Sequence, residues 1–266
     1  MKLTFYKFHG AGNDFIMIDN RAGKIVLTTE QVKFLCHRRF GVGADGLIIL
    51  GKKISEHTDF NMQYYNADGR EASLCGNGSR CVVAFAHFLE IIDGQTQFTA
   101  FDGIHSAKII HYQCPTWQIS LSMNDLSDLI SYSDGLFLDT GSPHFVVFCE
   151  DAHLVDVQSK GKELRHGSRF SQGSNIDFCS PYQDGIFVRT YERGVEDETL
   201  SCGTGVTATA IAWAKKHNFK NGEYFFKIYT LGGEFMVSFT INEESFYAII
   251  LKGPATFSFK GEIQLL

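Results

Sequence analysis

The chain has 266 residues, 44% hydrophobic and 20% charged, with a formal net charge of −6 at pH 7. That length can bury a core without disulfide staples, and the composition excludes disorder. The acidic balance excludes a basic nucleic-acid or anionic-membrane footprint, and no apolar run reaches the ~18 residues that span a bilayer. Residues 1–10 lack the charged and apolar segments of a secretory signal. The seven cysteines are odd in number and contain no C-x-x-C pair. They point to a reducing, cytoplasmic setting and away from a zinc ribbon or thioredoxin-like site.

In chain order, the apolar pattern predicts strands at 3–8 and 15–19, then a helix at 30–38 capped by Thr28 or Thr29. Strands follow at 47–50 and 60–65. A helix at 78–91 is apolar on nearly all faces and is therefore expected to be buried. Strands at 97–101, 107–112 and 117–122 complete the first half. The second half is predicted to hold strands at 137–139 and 145–149, a helix at 156–165, and strands at 176–179 and 185–191. A second buried helix at 205–217 precedes strands at 224–229, 233–241 and 246–252. The expected class is α+β, each half a mostly antiparallel strand set wrapped around one buried helix.

The chain repeats itself once. E-A-S-L-C-G-N-G at 71–78 resembles E-T-L-S-C-G-T-G at 198–205, placing Cys75 and Cys202 127 residues apart. Phe15 and Phe145, and Gly43 and Gly173, are landmarks at an offset of 130. Three landmarks in one order argue for two homologous halves. The expected domains are 1–130 and 131–266, with the boundary in the Ser/Asp-rich stretch at 125–135.

Cys75 and Cys202 each precede Gly-x-Gly and a buried helix. Helix starts carry unpaired N–H groups and partial positive charge, so a thiol there is expected to titrate below ~8.5. The same N–H groups, approached closely past glycine, can hold a carboxylate. A single copy would read as an ordinary cap with a small packing residue. Two copies at equivalent positions suit removal of a proton from one face of a carbon and delivery to the other.

F-H-G-A-G-N-D-F (8–15), N-A-D-G-R-E-A-S-L-C-G-N-G-S-R-C (66–81), G-S-P-H-F (141–145) and Y-E-R-G-V-E-D-E-T-L-S-C-G-T-G (191–205) resemble the diaminopimelate epimerase family. The resemblance implies two pseudo-symmetric domains with the active site between them. It implies cofactor-independent interconversion of LL- and meso-2,6-diaminopimelate, a step toward lysine and peptidoglycan precursors. Cys75 and Cys202 match the catalytic acid and base. Gly76, Asn77, Gly203 and Thr204 match the groups that hold the reacting carboxylate. Asn13, Asn66 and Asn175 match polar substrate contacts. Glu192 and Arg193 match the pair that holds the distal amino-acid head, and His144 and Glu192 match positions that tune the thiols. No cofactor and no metal are implied. The partners expected are the small-molecule substrate diaminopimelate and, at most, a second copy in a homodimer, with neither nucleic acid nor membrane.

Two positions depart from the family pattern. Gly46 stands where many members have Gln, and Ser142 where many have Asn. His9 and Asp14 are read as turn-holding groups, and Cys81 as structural. The nearest alternative is a proline racemase or hydroxyproline epimerase, which usually has His where Asn77 stands and needs no distal Glu192 and Arg193. A thiol redox protein would need no carboxylate-binding frame, and a non-catalytic binding relative would have no use for both thiols.

Overall fold

The structure, a computed structural model, describes residues 1–71, 75–170 and 173–265. The chain separates into two compact units, Met1–Leu121 with Gly253–Leu266, and Ser122–Lys252.

The first unit opens with the hairpin β1 (Lys2–Gly10) and β2 (Asn13–Asn20), turned through Ala11 and Gly12 at positive φ. Thr28 and Gln31 form a reciprocal capping box at the start of α1 (Thr29–Cys36). Next come β3 (Gly46–Lys52), β4 (Phe60–Asn66), α2 (Gly76–Phe88), β5 (Gln95–Ala100), β6 (Gly103–Gln113) and β7 (Thr116–Ser122). The apolar run in β2 is buried on both faces, with Ile16 and Ile18 packed in the cluster under Val32 and Leu35 of α1. Every residue of α2 from Gly76 to Ala86 is buried, and the helix lies against β1, β2, β3 and β6. Phe8, Phe85 and Trp117 are fully buried together. At ~1.5–3 kcal/mol per buried side chain, such residues outweigh any single surface ion pair in holding the unit.

The second unit contains β8 (Leu129–Tyr132), β9 (Gly135–Asp139), β10 (Pro143–Phe148), α3 (Val157–His166), β11 (Asn175–Tyr182), β12 (Gly185–Glu192), the short β13 (Asp197–Thr199), α4 (Gly203–Lys216), β14 (Gly222–Thr230) and β15 (Gly233–Asn242). A 3₁₀ turn at Ala152–Leu154 precedes α3. Asp156 caps α3 through Ser159 N–H. α4 is buried on nearly every residue and lies against β9, β10, β11, β12, β14 and β15.

The last strand, β16 (Ser245–Gln264), serves both units. Its first part pairs with β15, Val237 opposite Leu251. Its later part pairs with β7, Ala255 opposite Trp117, and with β1, Phe5 opposite Gly261. The first unit is thereby a closed barrel, β1 through β7 and β16 back to β1, around α2. Closure removes exposed strand edges. In the second unit, Leu126 and Phe246 bridge β16 to the segment before β8.

The two units share their pattern of strand direction. β2–β3 and β4–β5 are parallel in the first, as β10–β11 and β12–β14 are in the second, and the other named pairings are antiparallel. Phe15 pairs with Gly46 and Phe145 with Ile176, at the same sequence separation. The Gly43 and Gly173 landmarks both sit at positive φ, +82° and +70°. The fold is the expected α+β class. Three features differ from the sequence reading. Residues 253–264, expected in the second half, belong to the first unit, because β16 continues past Lys252 to close its barrel. The boundary expected at 125–135 falls earlier, between Leu121 and Ser122, and that stretch contains β8. α2 and α4 begin two residues earlier than predicted, directly after Cys75 and Cys202.

Candidate active site

Cys75 and Cys202 are the N-caps of α2 and α4, both with extended backbones. Their carbonyls accept the first helical bonds, from Ser79 N–H at 2.7 Å and Val206 N–H at 2.8 Å. The repeat thus places both thiols at equivalent local positions, one in each unit. Residues 72–74 of the first landmark lie outside the described residues.

In the first unit, the structure gathers Cys75, Asn77 and Asn13. Cys75 Sγ faces Asn13 Oδ1 at 3.7 Å, and Asn77 Nδ2–H donates to the same oxygen at 3.2 Å. Asn13 Nδ2–H donates to Asp45 at 2.8 Å, which fixes its amide. Asn66 is exposed at the end of β4, opposite Gly46, where its carbonyl closes a turn with Gly69 N–H. Gly46 has no room for a side chain. A Cβ there would meet Tyr64 Cε2 at 2.6 Å and Tyr65 O at 2.8 Å. The Tyr64 ring occupies the space that a Gln at 46 would need.

Asp14 binds Lys7 at 2.7 Å and Arg38 at 2.8 Å, and His9 Nδ1 accepts from Gly12 N–H. His9 holds the β1–β2 turn, as expected, whereas Asp14 instead ties β2 to Lys7 of β1 and to Arg38 after α1. Cys81 is fully buried, which pushes its thiol well up, in keeping with a structural role.

In the second unit, Asn175, His144, Thr204 and Cys202 form one network. His144 Nε2 lies 2.9 Å from Thr204 Oγ1, which lies 3.3 Å from Cys202 Sγ. Asn175 Nδ2–H donates to Pro143 O at 3.1 Å, and its Oδ1 accepts from Arg193 N–H at 2.8 Å. Arg193 and Glu192 follow the buried Tyr191 at the end of β12. Thr140 Oγ1–H donates to Thr204 O at 2.9 Å and anchors the helix start from β9. Ser142, shorter than the Asn that the resemblance leads one to expect, is well engaged. Its Oγ lies 3.1 Å from His144 Nε2 and 3.2 Å from Thr204 Oγ1, and accepts from Asn175 Nδ2–H at 3.1 Å.

The expected lowering of the thiol by its helix start is reversed at Cys202. Burial pushes this thiol well up, and the carboxylates of Glu192 and Asp177 push it further. The Thr204 hydroxyl and Gly205 N–H oppose them without overcoming them. A macrodipole acts within one turn and is modest beside full desolvation.

Three residues escaped the sequence reading. Asp177 is fully buried, 2.6 Å from His144 Nδ1. Arg80 is fully buried in α2 and reaches Asn77. Tyr64 fills the space beside Gly46. The signal for the first two was available: a charge inside an apolar strand or helix is seldom buried without a partner. Among the described residues, no group of three or more His, Cys, Asp or Glu side chains is arranged to hold a metal ion.

A profile of diaminopimelate epimerases matches residues 5–108 and 136–258. A diaminopimelate epimerase of Flavobacterium psychrophilum is 48% identical over 266 residues, covering 98% of this chain and 100% of that one. The chain belongs to the diaminopimelate epimerase family. A second member, from Chlorobaculum tepidum, is 40% identical over 268 residues, covering 96% and 99% of the two chains. Among solved structures, a PhzF-family phenazine biosynthesis protein of Bacillus anthracis superposes with a TM-score of 0.80 at 14% identity, over the full length of both chains. A hydroxyproline epimerase of Agrobacterium vitis gives 0.72 at 13% identity, covering 99% of this chain and 93% of that one. These two likenesses concern the fold alone.

Proposed function

We propose that this chain interconverts LL- and meso-2,6-diaminopimelate by a two-thiol proton transfer, without a cofactor, on the route to lysine and peptidoglycan precursors. The observation that carries the proposal is the paired placement of Cys75 and Cys202 as N-caps of two buried Gly-x-Gly helices, in a chain of this family.

The chemistry follows from that placement. An amino-acid α-proton is feebly acidic, so a thiolate removes it only if the developing charge is stabilised. The N–H groups of Gly76 and Asn77, and of Gly203 and Thr204, are oriented donors for the carboxylate on the reacting carbon. One cysteine takes the proton as thiolate, breaking the C–H bond. The other gives its S–H proton to the opposite face, and the two exchange roles with direction. Arg193 forks the distal carboxylate and Glu192 pairs the distal ammonium. Asn13, Asn66 and Asn175 orient the substrate, and His144 and Glu192 tune the thiols. Arg80 puts a buried positive charge near Cys75, whereas Glu192 and Asp177 put negative charge near Cys202. The seven free cysteines suit a reducing cytoplasm.

The test is turnover of LL-diaminopimelate in heavy water with reductant. The new stereoisomer is expected to carry deuterium at the inverted carbon, with almost none in unreacted substrate at early times. Cys75→Ala and Cys202→Ala are each expected to abolish turnover. Early product that keeps its original hydrogen, or a single variant near the parental rate, would rule the two-thiol reaction out.

A further inference from the structure

Asp177, His144, Thr204 and Cys202 form one hydrogen-bonded line within the second unit. The Asp177 and His144 side chains have 0% exposure and stand 2.6 Å apart, Oδ2 to Nδ1. The other Asp177 oxygen accepts from Thr190 Oγ1–H at 2.6 Å. His144 Nε2 faces Thr204 Oγ1 at 2.9 Å, and that oxygen faces Cys202 Sγ at 3.3 Å. Ser142 Oγ at 3.1 Å and Asn175 Nδ2 at 3.3 Å surround the same imidazole nitrogen. Gly205 lets the helix start approach this closely, since a Cβ there would meet Asp177 Oδ1 at 2.6 Å and His144 Cε1 at 3.2 Å.

The donor inventory constrains the line. In the tautomer that this line requires, His144 donates Nδ1–H to the Asp177 carboxylate, which only accepts, and its Nε2 accepts from Thr204. The Thr204 hydroxyl has one hydrogen and two lone pairs, and so has two settings. In one, it donates to Nε2 and accepts from the Cys202 S–H, which favours the thiol. In the other, its hydrogen turns to sulfur and favours the thiolate. When Thr204 turns away, the Ser142 hydroxyl, itself accepting from Asn175, supplies the donor at Nε2. Neither setting then strands a buried acceptor, a fault that would cost about 1–3 kcal/mol.

We propose that the Thr204 hydroxyl is a two-position switch serving both protonation states of Cys202, and that Asp177 is the positioning residue that holds His144 as its acceptor. The inference rests on the epimerase reading, in which Cys202 is acid in one direction and base in the other. When Cys202 acts as acid, its S–H bond breaks, a C–H bond forms on the substrate carbanion, and the sulfur keeps the electron pair as thiolate. The Thr204 hydrogen turns from Nε2 to Sγ at that moment, and the reverse direction returns it. The titratable groups facing the line are Asp177 from β11, Glu192 from the end of β12 and Cys202 at the start of α4.

Thr204→Val removes the hydroxyl at nearly equal volume and keeps the backbone N–H, whereas Thr204→Ser keeps both. The expected result is a fall in kcat of about 10–100-fold for Thr204→Val, larger than the change in KM for diaminopimelate, with Thr204→Ser recovering most of that loss. Asp177→Asn is expected to lower kcat similarly and to shift its pH profile. If that variant misfolds, the Thr204 pair still decides. A readout independent of turnover is the pH dependence of Cys202 modification by methyl methanethiosulfonate, mapped by peptide mass spectrometry. A hydroxyl donates more strongly to a thiolate than it accepts from a thiol. Thr204→Val should therefore move the Cys202 titration to higher pH by roughly 0.5–1, and Thr204→Ser should restore it. An unmoved titration in Thr204→Val overturns the switch, whatever the turnover. A parent that does not epimerise diaminopimelate overturns the epimerase reading, while the Cys202 titration still decides the hydrogen-bond switch.

Discussion

Arg80 donates an Nη2–H to Asn77 Oδ1 at 2.6 Å, and Asn77 passes its own amide hydrogen to the Asn13 oxygen that Cys75 faces. The guanidinium also donates to Gly76 O at 3.1 Å and Pro254 O at 3.3 Å. It thus ties the start of α2 to β16 within the first unit. Burial lowers Arg80 to about 10, which leaves it charged at neutral pH. Arg80→Leu strands these buried acceptors, at about 1–3 kcal/mol for each left unpaired. We expect the urea midpoint to fall markedly in Arg80→Leu and less in Arg80→Lys, which keeps the charge but not the fork. Equal midpoints for the two variants would show that the retained charge contributes nothing.

A buried guanidinium lies near Cys75 and two carboxylates lie near Cys202, and the thiols should differ in reactivity accordingly. Cys75 is half-buried near Arg80, whereas Cys202 is 8% exposed near two carboxylates. Thiolates, not thiols, are the nucleophiles. With limiting iodoacetamide at pH 7, peptide mapping should show Cys75 alkylated at least about tenfold faster than Cys202. In Arg80→Leu the Cys75 rate should drop. Cys202 reacting first would contradict the electrostatic assignment.

Gly78 and Gly205 occupy the same place in the two cysteine motifs but face different neighbours. A Cβ at Gly78 would meet Ile48 Cδ1 at 2.9 Å, the far end of a flexible side chain. A Cβ at Gly205 would meet the fixed Asp177 carboxylate at 2.6 Å. Replacing a helical Gly by Ala gains up to ~1 kcal/mol, whereas a forced overlap costs ~1–3 kcal/mol. Gly78→Ala should come out near neutral in thermal unfolding, and Gly205→Ala clearly destabilised, with slower turnover. Equal effects would mean that Asp177 can move.

The elements that carry this site were legible because each has a strong local cause. Two helices apolar all round had to be buried, and Gly-x-Gly after a cysteine marked where each begins. The strand class followed from short apolar runs of similar order in both halves. The fate of residues 253–264 was not legible, because a strand that changes partners along its length has the same alternation throughout. The direction in which Cys202 titrates was not legible either. It depends on burial first, then on Glu192 and Asp177, and all three are set by the tertiary pairing of β11 and β12. Gly46 appeared as a lost contact in the sequence. Only packing shows that the neighbouring Tyr64 takes up the space.

Acid stability should report the Asp14 cluster. Burial alone would raise the Asp14 carboxyl, but the hydrogen bonds and charges of Arg38 and Lys7 outweigh it and hold it at about 2. The Lys7 side chain is 8% exposed and that of Asp14 19%, so solvent screens this pair little. In the unfolded chain an aspartate titrates near ~3.9. A carboxyl depressed in the folded state contributes its full stability above the unfolded value and loses it as pH falls toward the folded one. The contribution of Asp14 should therefore be complete at pH 5, shrink below about pH 4 and be largely gone near pH 2. Urea unfolding of the parent and Asp14→Asn across this range should give midpoints that differ most at pH 5 and converge at the acid end. A difference that stays constant from pH 5 to pH 2 would show that the Lys7–Asp14–Arg38 cluster does not hold the carboxylate ionised.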